Sequence, residues 1–236
     1  CIKNWYALLP EKGWPCHVLS NHDQPRSINR YKDDEDSEKR ARVAAMLLLT
    51  LRGTPFVYYG EEIGMKNFRI SRSELADPAG KKFWPVYVGR DCARTPMQWS
   101  SEVNAGFTQG KMWLPVSMDY KTVNVKAQEN DVHSLLNYYK TLIQIRKNKK
   151  ALTHGKWKPL NKGHNGVISY MRTFENEKIF VVLNFTNSTH TIANGYSGQW
   201  KVLLSTHRSS FEHFAELSMK LYPYEATLIE KIGDLK

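Results

Sequence analysis

The chain has 236 residues and a formal net charge of +11, so at roughly 150 residues per domain it holds one large unit, or one large and one smaller. Hydrophobic residues are 41% and charged residues 24%, ordinary usage that excludes wholesale disorder. The longest apolar run, Val43 to Leu51, contains Thr50 and stops at Arg52, short of the ~18–20 residues of a membrane span. The lysines are scattered rather than striped, which argues against a nucleic-acid partner. The three cysteines, Cys1, Cys16 and Cys92, show no CxxC spacing and no Cys/His cluster, so neither a disulfide framework nor a metal site is expected. The chain opens on Cys1 rather than Met, without the pattern of a signal peptide, and a fragment of a longer protein is expected.

In chain order, His17-Val18-Leu19-Ser20 is a short apolar run cut off by Asn21-His22-Asp23, as in a buried strand that delivers polar groups at its C-terminal end. Ser37-Glu38 opens a helix whose run from Arg42 to Leu49 has a wide apolar face, and Gly53-Thr54-Pro55 ends it. Phe56-Val57-Tyr58-Tyr59 predicts a second strand, closed by Gly60 before Glu61-Glu62. Strand, helix and strand with short links form a right-handed parallel unit, hence an α/β sheet or barrel. Lys66 to about Asp131 far exceeds an ordinary connection of up to ~15 residues, and Trp84, Trp99 and Trp113 predict an ordered loop with aromatic anchors. A helix follows from about Ser134 to Lys149, and the basic run Arg146-Lys147-Asn148-Lys149-Lys150 at its end complements the helix dipole.

From Leu152 the pattern changes to short alternating segments. Val167-Ser169-Met171, Ile179–Leu183, Trp200-Val202-Leu204 and Ala226-Leu228-Glu230 predict strands. Asn165-Gly166, Asn194-Gly195 and Ser197-Gly198 supply turn chemistry between them. A small all-β sandwich is expected over 151–236, after an α/β portion over 1–150.

Three clusters could carry chemistry. In Asn21-His22-Asp23, a carboxylate beside an imidazole at a strand end could hold hydroxyls, act as acid or base, or ligate a metal; the same residues also suit a helix cap or a surface turn. Glu61-Glu62 suggests paired-carboxylate chemistry, but neighbours on an extended chain face opposite ways, which favours a structural role. In Arg90-Asp91-Cys92-Ala93-Arg94-Thr95-Pro96-Met97-Gln98-Trp99, two guanidiniums could fork onto carboxylates and hold an aspartate ionised, while Trp99 could pack under loops or against sugar faces.

Taken together the segments are specific. Val18 to Arg26 resembles the last shared signature region of the α-amylase family of glycoside hydrolases, and Gly53 to Met65 is similar to that family's eighth barrel strand. Gly89 to Trp99, Asn104-Ala105-Gly106-Phe107, Trp113-Leu114-Pro115-Val116 and Asn124-Val125 resemble its α-glucosidase and oligo-1,6-glucosidase branch.

The resemblance implies the C-terminal portion of a (β/α)8 barrel, its last two strands and helices, followed by the β-domain. It implies that Asp23 is the acidic residue that hydrogen-bonds the sugar and stabilises the transition state, being neither nucleophile nor proton donor. It implies that His22 binds a hydroxyl in the same subsite, that Arg90 contacts substrate and that Arg94 supports the acidic cluster. Glu61 and Glu62 match no catalytic position. The family's nucleophile and acid/base lie on earlier strands that nothing here resembles, so this chain alone is expected to be inactive.

The function implied for the parent is release of glucose from the non-reducing ends of short α-glucosides, with a small oligosaccharide as partner and no nucleic acid, membrane or cofactor. A structural Ca²⁺ would belong to the missing N-terminal part. Alternatives are a transglycosylating isomerase of sucrose or trehalose type, and a non-catalytic module like the heavy subunits of amino-acid transporters. A cytoplasmic location is expected, although Asn184-Phe185-Thr186 and Asn187-Ser188-Thr189 would be glycosylation acceptors in a secreted protein.

Overall fold

Residues 2–10, 12–31, 34–160, 166–209 and 212–234 are described by the computed structural model; Cys1 and Asn165 lie outside them. They divide into two units, one built from the residues up to His17, Arg42–Pro55 and those from Thr141 onward, the other from Val18–Ala41 and Phe56–Lys140.

The first unit begins with helix α1 (Ile2–Ala7), whose Tyr6 hydroxyl donates to the carbonyl of Arg52 at 2.8 Å. Strand β1 (Cys16–Val18) precedes helix α2 (Ser27–Arg30), which lies in the second unit, and helix α3 (Ser37–Thr50). Strand β2 (Thr54–Phe56) pairs with β1 in a short parallel sheet. The expected β-α-β unit is therefore present, with both strands displaced towards the N-terminus. Pro55 is tolerated because a two-stranded ladder leaves one edge of each strand unpaired. Downstream, the Tyr58 and Tyr59 hydroxyls donate to Ala93 and Thr95 carbonyls at 3.0 and 2.7 Å, and the chain leaves the ladder to make those bonds.

The apolar run of α3 is buried from Val43 to Leu49 except at Leu47, and its C-terminal carbonyls are capped from a distance. Arg146 Nη1 donates to Leu49 and Leu51 carbonyls at 2.7 and 3.2 Å, and Arg172 Nη1 donates to Thr50 at 2.5 Å. These carbonyls have no partner within the helix, and a guanidinium also favours the negative end of the helix dipole. Burial pushes the pKa of Arg172 down to about 10, which still leaves it charged at neutral pH. Arg146 belongs to helix α6 (Leu135–Asn148), and Lys149 bonds Glu230 at 2.5 Å. The basic run that looked like simple dipole complement at the end of α6 thus holds other elements in place.

After a short helical turn, Lys150–Thr153, the rest of this unit is all-β. The strands are β3 (Lys156–Pro159), β4 (Val167–Phe174), β5 (Glu177–Asn184), β6 (His190–Ser205), β7 (His213–Leu221) and β8 (Ala226–Gly233). The small all-β domain expected from the sequence is present, its strands hydrogen-bonded into one six-stranded antiparallel sheet, a half-barrel, in the order β3-β4-β5-β8-β6-β7. Its core gathers Val167, Phe180, Val182, Trp200, Val202, Leu217 and Ile229.

Two expected turns vanish into β6. Gly195 and Gly198 have φ of +63° and +143°, and the pairing with β7 shifts register between Ala193 and Trp200, so they serve bulges rather than a chain reversal. A Cβ on Gly198 would stand 2.6 Å from Lys231 Cε. Asn184 is fully buried and donates to Ser188 and Tyr222 carbonyls at 2.8 and 2.7 Å, so its amide is spent on closing β5.

At the entry to β8, Glu225 is fully buried and accepts from Arg208 Nε at 2.6 Å, Tyr222 N at 2.8 Å and Thr227 Oγ1 at 2.9 Å. A buried charge that loses its partner is costly in a way that a surface pair is not. Glu225→Ala is expected to lower stability by about 3–5 kcal/mol in a urea titration of the chain. A loss of under about 1 kcal/mol would place this pair with ordinary surface ion pairs.

Candidate functional site

The site lies within the second unit and starts where β1 ends. Ser20 Oγ accepts from Ser27 N at 2.8 Å, and Asn21 Oδ1 accepts from Asp23 N at 2.8 Å. This is an Asx turn: the short amide replaces a backbone acceptor two residues on and forces a corner at His22-Asp23. Asn21 takes the turn role that all three residues could have filled, and the side chains of His22 and Asp23 are left for other work.

The corner is met by the segment Arg90–Arg94. Asp23 Oδ1 accepts from Arg90 Nη1 and from Arg94 Nη2, each at 3.0 Å, while Arg94 Nε donates to the His22 carbonyl at 2.9 Å. His22 Nε2 stands 3.3 Å from Asp23 Oδ2. All four residues marked out by the sequence therefore converge. Desolvation opposes ionisation of Asp23, but the hydrogen bond from Arg90, the charges of His22 and Arg90 and the bond from Arg94 outweigh it, so its pKa falls below the ordinary aspartate value. Asp23 is a carboxylate across the physiological range, with Oδ1 fully engaged and Oδ2 on the side of His22.

Several buried groups hold this segment in place. A 3₁₀ turn, Asp91–Ala93, carries Arg90 and Arg94 at its two ends. Asp91 Oδ2 accepts from Ala76 N and Asp77 N at 2.6 and 2.7 Å. Arg26 is buried with its guanidinium 5.2 and 4.9 Å from the ring centres of Tyr58 and Tyr59, and donates to Tyr59 O at 2.5 Å and Ala93 O at 3.3 Å. Burial lowers its pKa and the two tyrosines, whose rings lie 4.7 Å apart beside it, oppose that. Thr95, Met97 and Gln98 are buried, and Gln98 Nε2 donates to Val123 O at 2.6 Å. Most of the motif is thus framework, and Arg90 and Arg94 are the side chains that reach Asp23.

The long segment is ordered as expected, but its aromatics divide. Trp84 packs on the cluster of Ile70, Leu75 and Leu114, whereas Trp99 and Trp113 are 50% and 57% exposed. Helix α4 (Pro78–Phe83) and helix α5 (Val125–Glu129) are capped by Asp77 and Asn124, which accept from Ala79 N and Ala127 N. Asp77 was missed from the sequence. The Asp-Pro pair marks a helix start, with proline at the first helical position, but says nothing of a contact to Arg90.

Glu61 and Glu62 lie in a 3₁₀ turn, Glu61–Ile63, not on the extended chain that the sequence suggested. Glu61 is buried with Oε1 accepting from Tyr139 at 3.1 Å. Burial pushes its pKa up to about 7, against the opposing bonds from Tyr139 and Ser20. It is an interior group whose bond with Ser20 reaches the chain just before Asn21. Among the described residues no group of three or more His, Cys, Asp or Glu could hold a metal, no helix is long and apolar enough to cross a membrane, and Cys16 and Cys92 are free thiols.

An ionised carboxylate beside an imidazole at the carboxyl end of a barrel-type strand, followed by an antiparallel half-barrel, is the architecture of a class of sugar-processing enzymes. Comparison with known proteins fixes the family. The alpha amylase catalytic domain matches residues 1–155, and the alpha amylase C-terminal all-beta domain matches residues 157–222. The chain belongs to the α-amylase family, a family of glycoside hydrolases. It is 39% identical over 207 residues to the oligo-1,6-glucosidase of Parageobacillus thermoglucosidasius, covering 80% of this chain and 37% of that protein. A variant of the trehalulose synthase MutB of Pseudomonas mesoacidophila MX-45 superposes with a TM-score of 0.87 at 30% identity, covering 97% of this chain and 45% of that one. An isomaltulose synthase variant from Erwinia rhapontici NX5, solved with D-glucose, gives a TM-score of 0.81 at 33% identity, covering 94% and 43%. The chain spans less than half the length of each of these relatives.

Two predictions follow from the electrostatics. Because Arg90 contributes more than Arg94 to the depressed pKa of Asp23, Arg90→Met raises that pKa further than Arg94→Met does. Carboxyl-carbon NMR titration reads both, and the reverse order would contradict the geometry. For Glu61 the folded pKa of about 7 stands above the unfolded 4.5, so its contribution to stability is complete below about pH 4.5 and is lost as pH rises through 7. Glu61→Gln therefore flattens that fall in stability measured between pH 5 and 8, and Tyr139→Phe, which removes an opposing bond, raises the pKa of Glu61.

Proposed function

We propose that this chain is the C-terminal part of a retaining α-glucosidase that releases glucose from the non-reducing ends of short α-glucosides, with the barrel part over residues 1–150 and the β-domain over 151–236. The observation that carries the proposal is the Asp23 corner: Oδ1 shared by two guanidiniums, Oδ2 beside an imidazole. In retaining hydrolysis two other carboxylates, ~5–5.5 Å apart, act as nucleophile and acid/base, and the sugar ring passes through an oxocarbenium-like state. Those two groups lie outside this chain.

Asp23 contributes a fixed negative charge and a hydroxyl acceptor to that ring. Bonds to ring hydroxyls strengthen as positive charge develops, and a carboxylate already oriented by Arg90 and Arg94 does not reorganise at that moment. Arg90 and Arg94 also keep Asp23 ionised, so it accepts rather than donates. His22 Nε2, 3.3 Å from Oδ2, offers a second polar atom to the same sugar edge. The likeness to an oligo-1,6-glucosidase supports this reading.

A second reading is a sucrose-isomerising transglycosylase, favoured by the superposition on trehalulose and isomaltulose synthases. Both readings use the same Asp23 corner and differ in whether water or fructose accepts the glucosyl unit. Incubating the full-length protein with maltose, isomaltose and sucrose separates them: free glucose marks hydrolysis, and an isomeric disaccharide from sucrose marks transfer. In either case Asp23→Asn is expected to cut kcat by about a hundred-fold or more, the scale of losing one preorganised polar contact to the transition state. Unchanged turnover would remove the role given to Asp23. The 236-residue chain alone is expected to release no glucose.

A further inference from the structure

The guanidinium of Arg90 lies between two carboxylates, only one of which belongs to the Asp23 corner. The other is Asp77, whose side chain is 2% exposed. Asp77 Oδ2 accepts from the backbone N of Arg90 at 3.0 Å and faces its Nε at 3.4 Å, a contact long enough to be largely electrostatic. Desolvation opposes its ionisation, but the bonds from Arg90 N, Ala79 N and the Arg90 side chain outweigh it, so its pKa is lowered and it is charged.

Asp77 is itself fixed on every side. Its Oδ1 caps α4 through Ala79 N at 3.0 Å, and its own N donates to Asp91 Oδ2 at 2.7 Å. Gly89, at φ +75°, passes so close that a Cβ there would lie 3.0 Å from Asp77 Oδ2. This is a built support for one arginine, far more elaborate than a helix cap requires.

We propose that Asp77 is a positioning residue that tethers Arg90 to a single-point contact on Asp23 Oδ1, and so leaves Asp23 Oδ2, with His22 Nε2 3.3 Å away, clear of the Arg90 guanidinium for a substrate hydroxyl. An arginine facing a lone carboxylate favours a two-point fork that covers both oxygens. With its backbone N and Nε held on Asp77, Arg90 instead presents Nη1 to Oδ1. The inference rests on the reading of Asp23 as a sugar-binding group and adds the reason why two arginines on that group do not block it.

The test is Asp77→Asn, which keeps the side-chain size and the capping ability but removes the charge. Arg90 then closes on both oxygens. Asp23 in the 236-residue chain titrates lower than in the unsubstituted chain by carboxyl-carbon NMR, and kcat/KM of the full-length protein falls by about ten- to a hundred-fold. Because loss of the Asp77 charge by itself also lowers the pKa of Asp23, the fork is read in Arg90 Nη–H exchange, which it slows; a merely structural role loosens the loop and speeds that exchange, and faster or unchanged exchange, or a rise in the pKa of Asp23, overturns the proposal. Should the variant fail to fold, hydrogen exchange at Arg90 Nε–H in the unsubstituted chain decides instead. Exchange slower than in free arginine supports the tether, and exchange at the free rate overturns it.

Asp23→Asn in the full-length protein separates this inference from the one it rests on. Intact turnover there sinks the sugar-binding reading. Lost turnover there, with Asp77→Asn leaving both the Asp23 titration and kcat/KM unmoved, sinks only the tether.

Discussion

A single carboxylate oxygen, Asp23 Oδ1, is shared by two guanidiniums that lie 67 and 71 residues further along the chain. Few contacts in the molecule ask more of the sequence. Two single-point contacts on one oxygen tolerate only small displacements, so the segments around Asp23 and Arg90–Arg94 must place their atoms closely. The buried Arg26, packed beside the adjoining rings of Tyr58 and Tyr59 and bonded to Ala93 O, links the exit of β1 to the turn that carries both arginines. The burial of Asp91, Thr95 and Gln98 follows from the same demand. An exposed charged contact of this sort contributes little stability by itself, and its geometry is maintained by the hydrophobic and hydrogen-bonded framework around it.

Two carboxylates, Asp23 in the turn after β1 and Glu61 in the 3₁₀ turn after β2, meet opposite fates for the same physical reasons. Asp23 sits among cations and its pKa is lowered, while Glu61 sits in the interior against Tyr139 and its pKa rises to about 7. Environment, not residue type, separates the group that stays ionised from the group that is half protonated at neutral pH. The carboxylate proposed to meet the sugar is thus the one that its surroundings keep charged.

Much of this was legible in the residues. The apolar run of α3, the helical spacing of α6 and the strands β4, β5 and β8 are strong periodic signals, and each element formed near its expected bounds. His22, Asp23, Arg90 and Arg94 were identifiable because they fall in short motifs of fixed order. What was not legible depends on contacts between distant residues. β3 and β7 escaped notice because they are edge strands interrupted by charged residues, although Leu217, Met219 and Leu221 alternate with polar neighbours and are buried. The bulges at Gly195 and Gly198 use the same glycines that a turn would use, and only the partner strand tells the two apart. Asp77 reads locally as a helix start, and its second partner is 13 residues away.

The order of strands in the half-barrel bears on biosynthesis. β8, which follows every other strand in sequence, lies between β5 and β6 and supplies the hydrogen-bond ladder that joins them. Until it leaves the ribosome, β3-β4-β5 and β6-β7 are separate ribbons, each with an exposed apolar face and an unpaired inner edge. The sheet must close after synthesis has passed all its other strands, and during that interval the nascent ribbons are open to pairing with a neighbouring chain.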